Sequence, residues 1–145
     1  MNKAFVKEQD QLGGQCPVCG GKGRSVPDAT VAVWVLPAHL GDVSRPAYFC
    51  DSPNCRAVYF DDFERSVTVD QVRAPVWPKD SGAPICGCFG FTAAEIDEDL
   101  AEKSVRRVKT AVARAGGVGS DCLHKAADGR NCATAIQSYY FRHTR

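Results

Sequence analysis

The stretch "PICGCFGFT", residues 84–92, places two cysteines one residue apart and directly before the start of a helix. Thr92 followed by Glu95 is typical of a capping box, in which each side chain accepts a hydrogen bond from the other residue's backbone N–H. Phe91, just before the cap, is positioned to pack on Ile96 as a hydrophobic staple. The stretch therefore predicts a well-defined helix start with two thiols on the turn in front of it.

Helical spacing continues on both sides of a glycine-rich break. From Thr92 onward the apolar residues of an amphipathic helix are Ile96, Leu100, Val105, Val108 and Val112. The stretch "AGGVGS" at 115–120 is expected to end this helix, because glycine accepts the left-handed conformation found at helix C-termini. A shorter helix is predicted beyond it, with Asn131 as its cap, Cys132 in its first turn, and Ile136, Tyr139 and Tyr140 on its apolar face.

Residues 16–77 have the composition of strands. Segments rich in β-branched and aromatic residues are separated by Gly, Pro, Asp and Ser, and they cover 29–36, 47–50, 57–62 and 66–72. Three prolines, at 75, 78 and 84, then predict a linker, because proline interrupts both sheets and helices. The predicted fold class is α+β. A small antiparallel β domain is expected over residues 1–78, and a helical domain over 79–145.

The composition limits which cellular compartment and which kinds of binding partner are expected. The 145-residue chain carries eight cysteines, which call for disulfides in an oxidising compartment or metals in a reducing one. No apolar run near the N-terminus is long enough for a signal peptide, and none elsewhere would span a bilayer, so a cytoplasmic protein with reduced thiols is expected. The net charge of +1, from 18 basic and 17 acidic residues, argues against nucleic acid and membranes as partners.

The first four cysteines have the spacing of a structural zinc site. Cys16 and Cys19 form a C-x-x-C turn followed by glycine, and Cys50 and Cys55 form a second pair with four intervening residues. Four thiolates close the coordination sphere of zinc and leave no position for a catalytic water. The alternatives are a redox-active C-x-x-C or free thiols in a core, and zinc is favoured because the β unit is too small to be stable alone.

The last four cysteines have a different spacing, which favours an iron–sulfur cluster. Cys86 and Cys88 form a C-x-C pair, followed after 33 residues by Cys122 and after nine more by Cys132. Zinc sites rarely use C-x-C, whereas one iron of a 2Fe–2S cluster can take both its sulfurs and the other iron the remaining pair. Two predicted helix N-termini lie beside these cysteines and would favour a negatively charged cluster. The glycines at 87 and 90 would let backbone N–H groups approach the sulfurs.

The order of these motifs resembles the N-terminal zinc and 2Fe–2S domain of the CopZ family of copper chaperones, and the second half resembles bacterioferritin-associated ferredoxins. The shared stretches are "CPVCGGKG", "FCDSPNCRAVYF", "ICGCFGFT" and the closing C-x9-C, over roughly residues 14–136. The resemblance implies zinc on the first four cysteines, the cluster on the last four, and a copper-handling protein or a copper ion as partner. The family's chaperones continue into a Cu(I)-binding domain with its own C-x-x-C. This sequence ends at Arg145 without a further cysteine, so only the redox part of the role, such as reducing Cu(II), is expected of it.

Other candidate residues are expected to have ordinary roles. His124 and His39 are expected to be exposed and outside the ligand sets. Five aromatic residues lack interleaved Lys and Arg and are expected in the core rather than on a base-stacking surface: Trp34, Tyr48, Phe49, Tyr59 and Phe60. The basic stretch "KSVRRVK" at 103–109 is expected to be a solvated helix face balanced by "EIDEDLAE", in preference to a docking site for an acidic redox partner.

The function predicted from these features is one-electron transfer or redox metal handling by an iron–sulfur and zinc protein. No catalytic triad, phosphate loop or nucleotide fingerprint occurs, so an enzyme is not expected. Two alternatives remain open at this stage. One is an adaptor or nucleic-acid-binding module with zinc in both sites, and the other is an iron–sulfur sensor of oxidants or soft metals.

Overall fold

The computed structural model describes residues 14–144 with the exception of 116, 118 and 119. Four short strands form one antiparallel sheet in chain order, and they are β1 (Arg24–Val26), β2 (Ala47–Phe49), β3 (Ala57–Phe60) and β4 (Ser66–Thr68). Five α-helices are described: α1 (Asp28–Trp34), α2 (Ala93–Ala101), α3 (Arg106–Ala115), α4 (Cys122–Lys125) and α5 (Ala133–His143). The predicted α+β class is confirmed. None of the described helices is long and apolar enough to cross a membrane.

The two faces of the sheet bury different groups. Tyr48 pairs with Phe60 across β2 and β3, and both pack with the cysteines of the N-terminal half. The next pair, Phe49 and Tyr59, packs on the opposite side against α1. Successive residues of a strand point to opposite faces, so adjacent aromatic pairs fill two separate cores. The expectation that these aromatic residues are core residues is confirmed, and it extends to Trp34, which is 7% exposed.

The predicted strand over 29–36 is wrong, because this segment forms helix α1. Pro27 occupies the N-cap position, Asp28 lies in the first turn, and the buried residues are Thr30, Val31 and Trp34. That spacing is helical, and packing of this face on the sheet outweighs the strand preference of the β-branched residues. The strand that pairs with β2 is instead β1 at Arg24–Val26, a segment not predicted from the sequence.

The other strand predictions locate β2, β3 and β4 correctly but extend too far. The predicted strand over 66–72 ends at Thr68, and a short 3-10 helix at Val69–Gln71 follows. Thr68 and Gln71 form a capping box at its start, because each side chain satisfies the other's backbone N–H. Val72 then forms an isolated bridge with Val35, which links the end of this turn to the end of α1.

The turn between β3 and β4 is organised by one buried carboxylate. Asp61 accepts hydrogen bonds from the backbone N–H groups of Ser44, Phe63 and Arg65, at 2.8 to 3.1 Å. It also forms an ion pair of 3.1 Å with the Arg65 guanidinium. Burial would raise the pKa of Asp61, but the hydrogen bonds, led by that from Ser44, outweigh burial and lower the pKa to about 2.

Replacing Asp61 by alanine is expected to lower the free energy of unfolding by about 3 kcal/mol, because three backbone N–H groups and the Arg65 guanidinium lose their acceptor together. The folded pKa lies below the ordinary value of 3.8, so the carboxylate stabilises the fold above about pH 4, and this stabilisation is lost as the pH falls toward 2. Urea unfolding at several pH values checks both effects. The exposed neighbour Asp62→Ala is the control, and the interpretation fails if both variants keep the wild-type pH dependence.

The capped helix begins as predicted but is interrupted. Thr92 and Glu95 form the expected capping box, and Phe91 and Ile96 belong to the same core cluster. The single helix expected from Thr92 is wrong, because α2 ends at Ala101 and Lys103 has φ +56° before α3 begins. The sequence carries a sign of this break. Leu100 and Val105 are five residues apart instead of three or four, and Val105 is 37% exposed.

One buried side chain joins the two helices across this break. Asp99 is fully buried at the end of α2 and accepts a hydrogen bond of 2.8 Å from the backbone N–H of Val108 in the first turn of α3. It also forms an ion pair of 3.0 Å with Arg107. A carboxylate stabilises a helix N-terminus, so Asp99 fixes the start of α3. The glycines expected to end this helix at 116 and 119 lie outside the described residues.

Helix α5 completes the C-terminal core by packing on α2 and α3. The N-cap position is Cys132, one residue later than predicted, but Asn131 still satisfies the helix start by accepting a hydrogen bond of 2.8 Å from the backbone N–H of Ala133. Asn131 also donates a hydrogen bond of 3.0 Å to the last carbonyl of α3, at Ala115. The predicted apolar face is present, since Ile136 is fully buried and Tyr139 and Tyr140 pack against the same cluster. The proline-rich segment passes from one half of the protein to the other at residues 76 and 77. Val76 packs in the N-terminal core, and Trp77 packs in the C-terminal core.

Candidate metal centres

The first four cysteines converge on one point. All four sulfurs lie within 4.8 Å of one another, and the closest pairs are Cys16 with Cys55 at 3.8 Å and Cys19 with Cys50 at 3.7 Å. In a tetrahedral site with zinc–sulfur distances of about 2.3 Å, the sulfurs lie roughly this far apart. Among the described residues, no other group of three or more His, Cys, Asp or Glu donors converges in this way.

The loops that carry these thiols lie at the same end of the sheet, because the start of β1 and the start of β3 both pair with the end of β2. Cys16 and Cys19 lie in a tight loop closed by a bridge between Gln15 and Lys22, while Cys50 directly follows β2 and Cys55 precedes β3. The Gly21 backbone N–H donates to the Cys19 sulfur at 3.4 Å and lowers the pKa of that thiol to about 7. Burial raises the pKa of Cys50 to about 12 and also raises that of Cys55. One exposed, acidified thiol and three buried ones form the set.

A lysine from the proline-rich segment supports this centre. The Lys79 ammonium donates to the backbone carbonyls of Ser52 and Cys55, at 2.9 and 3.0 Å. It therefore bridges both sides of the loop that holds the second cysteine pair. No local sequence signal indicated this role, because it depends on the path of the chain after β4.

The last four cysteines meet as two pairs. The Cys88 and Cys122 sulfurs are 3.9 Å apart, and the Cys86 and Cys132 thiols are hydrogen-bonded to each other. Cys86 and Cys132 are buried, at 1% and 5% exposed, whereas Cys88 and Cys122 are half-buried. The structure thus brings all four predicted residues to one region of the C-terminal half, on the turn before α2 and at the starts of α4 and α5.

Backbone N–H groups point at these sulfurs. The Cys86 sulfur accepts from the N–H groups of Cys88 and Phe89, and the Cys88 sulfur accepts from Asp121 at 3.1 Å. The hydrogen bond from the Cys132 thiol is the largest influence lowering the pKa of Cys86 to about 6, and the same bond raises the pKa of Cys132. Burial raises the pKa of Cys122 to about 11. The donors would stabilise negative charge on the sulfurs.

Gly87 is required by a close approach of two backbones. A Cβ atom at this position would lie 2.1 Å from the carbonyl oxygen of Lys125, at the end of α4. Gly90, in the same turn, has φ +71°, which glycine adopts without the strain that a side chain would add. Residues 122–127, helix α4 and the two residues after it, are named the α4 segment. The C-x-C turn and the α4 segment are therefore packed directly on each other, and this contact holds Cys88 near Cys122.

Gly87→Ala is expected to separate the C-x-C turn from α4 and to destabilise the C-terminal half by about 3 kcal/mol, because the new methyl meets backbone atoms that cannot move aside. Metal binding by the second cysteine set should fall while the first set retains its zinc. Metal content and thermal unfolding of the purified variant check this. Gly41→Ala is the matched control, since a Cβ there meets nothing within 4 Å. Equal thermal stability of the two variants would contradict the steric role of Gly87.

The α4 segment is held by side chains of the N-terminal half, a feature that sequence reasoning missed. The carbonyl oxygen of His124 accepts hydrogen bonds from the Trp34 indole at 3.1 Å and the Arg73 guanidinium at 2.7 Å. The Thr30 hydroxyl donates to Leu123, and the Tyr59 hydroxyl donates to the carbonyl of Ala127. The last carbonyls of a helix lack internal partners, and a four-residue helix is not stable alone. The position of Cys122 therefore depends on the fold of the N-terminal half.

Of the two histidines considered from the sequence, His124 is exposed as expected, whereas His39 is half-buried. His124 is exposed and its ring faces the Asp121 carboxylate at 3.0 Å. His39 pairs with Asp42 at 2.9 Å on a loop. Neither ring belongs to the converging donor group described above.

The sheet and its four-thiol site are those of a small zinc-binding domain. Residues 13–73 match the model of a family described as a zinc binding domain, zf_CopZ, so this part of the chain is similar to that domain. The fold as a whole is similar to the X-ray structure of the CopZ N-terminal domain from Archaeoglobus fulgidus. The TM-score is 0.69 at 22% identity, over 86% of this chain and 95% of that chain, which shows a shared fold. No curated protein matches the chain.

Proposed function

We propose that the chain is an iron–sulfur and zinc protein that transfers single electrons or handles a metal by redox chemistry, in a copper-chaperone-related role. In this proposal Cys16, Cys19, Cys50 and Cys55 hold zinc as a structural staple. The second set, Cys86, Cys88, Cys122 and Cys132, holds a 2Fe–2S cluster. The family match supports the zinc centre and a metal-binding rather than an enzymatic role.

The arrangement of the second set as two thiol pairs is the observation that carries the proposal. A single zinc ion requires four sulfurs converging on one point, as in the first set, and the second set does not converge in that way. A 2Fe–2S cluster takes two thiolates on each of two irons, so a more widely spaced set of four suits it. The N–H donors from Cys88, Phe89 and Asp121 provide the stabilisation that such a negatively charged group needs.

A bound 2Fe–2S cluster would supply reversible one-electron chemistry. The residues around it limit access, because Cys86 and Cys132 are buried while Cys88 and Cys122 are partly exposed. Electrons would therefore enter and leave beside the partly exposed pair or through the cleft that Cys86 lines. A copper ion or a copper-handling protein is the proposed recipient, and a cytoplasmic location with reduced thiols is part of the proposal.

The test is the visible and EPR spectrum of the full chain purified without oxygen. We expect a red-brown protein whose absorption bleaches when dithionite is added and whose reduced form gives the EPR signal of a one-electron-reduced 2Fe–2S cluster. A colourless, EPR-silent protein that retains its fold would overturn the proposal.

A further inference from the structure

Helix α3 presents a basic surface to solvent. Its sequence over 106–115, "RRVKTAVARA", contains no acidic residue. Arg106, Lys109 and Arg114 are all exposed, whereas Val108 and Ala111 are buried. At helical rise the three cations extend over about 12 Å along the solvent side of α3, with Arg106 and Lys109 one turn apart and Arg114 on the flank next to Phe89. These three residues are the α3 basic face.

The neighbouring acidic stretch does not neutralise this face. Arg107 forms ion pairs with Glu98, Asp99 and Glu102, at N–O distances of 3.3, 3.0 and 3.0 Å. Glu95 and Asp97 are also engaged, since Glu95 accepts from the Thr92 N–H and Asp97 from the Tyr139 hydroxyl. The expected balance with "EIDEDLAE" is therefore confirmed for Arg107 alone.

The face itself remains uncompensated. Among the described residues, Arg106 and Lys109 have no carboxylate within ion-pair distance, although Arg106 is near enough to Glu102 to help lower its pKa. The chain as a whole has a net charge of only +1, so the charge is local to this face.

The basic face adjoins the second cysteine set. A cleft of about 270 Å³ is lined by residues of both, among them Cys86, Phe89, Phe91, Arg106, Thr110 and Arg114. Phe89 directly follows Cys88 in the sequence, and the Arg114 guanidinium lies 4.3 Å from the centre of the Phe89 ring. Arg114 is also close enough to Cys86 to help lower the pKa of its thiol. A molecule bound on the α3 basic face would therefore lie beside the proposed cluster.

We propose that the α3 basic face is a docking surface for a protein partner whose own surface carries clustered carboxylates. Opposite charges steer such a partner into one orientation and speed its association. The inference rests on the proposed function, in which one electron leaves the cluster and the partner's one-electron acceptor gains it. Three cations over a single short helix offer fewer phosphate contacts than duplex DNA binding requires, and this favours an acidic protein.

The test measures binding of a fluorescein-labelled oligoglutamate peptide to the full chain by anisotropy at low salt. Neutralising two cations, in Arg106→Gln with Lys109→Gln, is expected to weaken binding about tenfold, because each exposed charge at such an interface contributes on the order of 0.7 kcal/mol. The matched control removes two exposed cations of the N-terminal half, in Lys22→Gln with Arg45→Gln, and should change binding by less than about twofold. Circular dichroism verifies that both variants are folded.

Three results would overturn the docking surface: no peptide binding by the wild-type protein, equal losses in both double variants, or tighter binding of duplex DNA through the same two residues. Peptide binding is measured whatever the iron content, so the test separates the two proposals. A protein without iron that still loses peptide binding in the α3 variant contradicts the proposed function and retains the docking surface. A red-brown protein that binds no peptide contradicts the docking surface and retains the proposed function.

Discussion

Replacing Cys132 by alanine is expected to remove the proposed iron–sulfur cluster completely while leaving zinc bound. Cys132 is buried beside Cys86 at the start of α5, and the substitution deletes the sulfur but keeps the backbone N–H. Ile136, which anchors α5 in the core, is untouched, so the helix should remain folded. The expected result is loss of the visible absorption with about one zinc per chain retained, measured by spectroscopy and metal analysis.

His124→Ala is the matched control for this experiment. The His124 ring is exposed and faces the Asp121 carboxylate, whereas the part of His124 that supports the fold is its backbone carbonyl, which alanine retains. The variant should keep both the cluster and the zinc. A full visible spectrum in the Cys132 variant, or its loss in the His124 variant, would show that the ligand assignment is wrong.

Replacing Cys55 by alanine is expected to remove both metal centres. Binding of structural zinc by a four-thiolate site is worth about 10 kcal/mol or more, which equals or exceeds the whole stability of a typical domain. Loss of this ligand should therefore unfold the sheet. The sheet and α1 supply the hydrogen bonds from Trp34 and Tyr59 that position the α4 segment, so Cys122 should lose its fixed position as well.

The two cysteine variants therefore differ in a defined way. Without Cys132 the chain should keep zinc, and without Cys55 it should keep neither metal and show no cooperative thermal unfolding of the sheet. Asn54→Ala, an exposed change in the same loop as Cys55, is the control and should resemble the wild type. Iron and sulfide at wild-type levels in the Cys55 variant would contradict the dependence of the cluster site on the N-terminal half.

Sequence patterns were sufficient where the signal is local. The capping box of Thr92 and Glu95, the cap at Asn131 and the strands β2 to β4 each depend on residues close together in the chain. The two cysteine sets were separable for the same reason, because their spacings differ. The prediction that the four N-terminal cysteines share one metal site is supported by the convergence of their sulfurs within 4.8 Å of one another. The division into domains at residue 78 and the complete ligand sets stay predictions.

The features that were missed depend on contacts distant in sequence. Helix α1 contains the β-branched residues of a strand, and only its packing on the sheet makes it helical, although Pro27 before Asp28 is a usable start signal. The hydrogen bonds from Trp34 to the α4 segment join positions 90 residues apart. Gly87 was expected to let backbone N–H groups approach the sulfurs. The structure gives a further reason for glycine at this position, because a side chain would collide with the carbonyl of Lys125, which is distant in sequence.

The most direct test of the two-centre account is analysis of zinc, iron and acid-labile sulfide in the full chain purified without oxygen. With zinc on the first cysteine set and a 2Fe–2S cluster on the second, we expect about one zinc, two irons and two sulfides per chain. A folded protein with about two zincs and neither iron nor sulfide would contradict it.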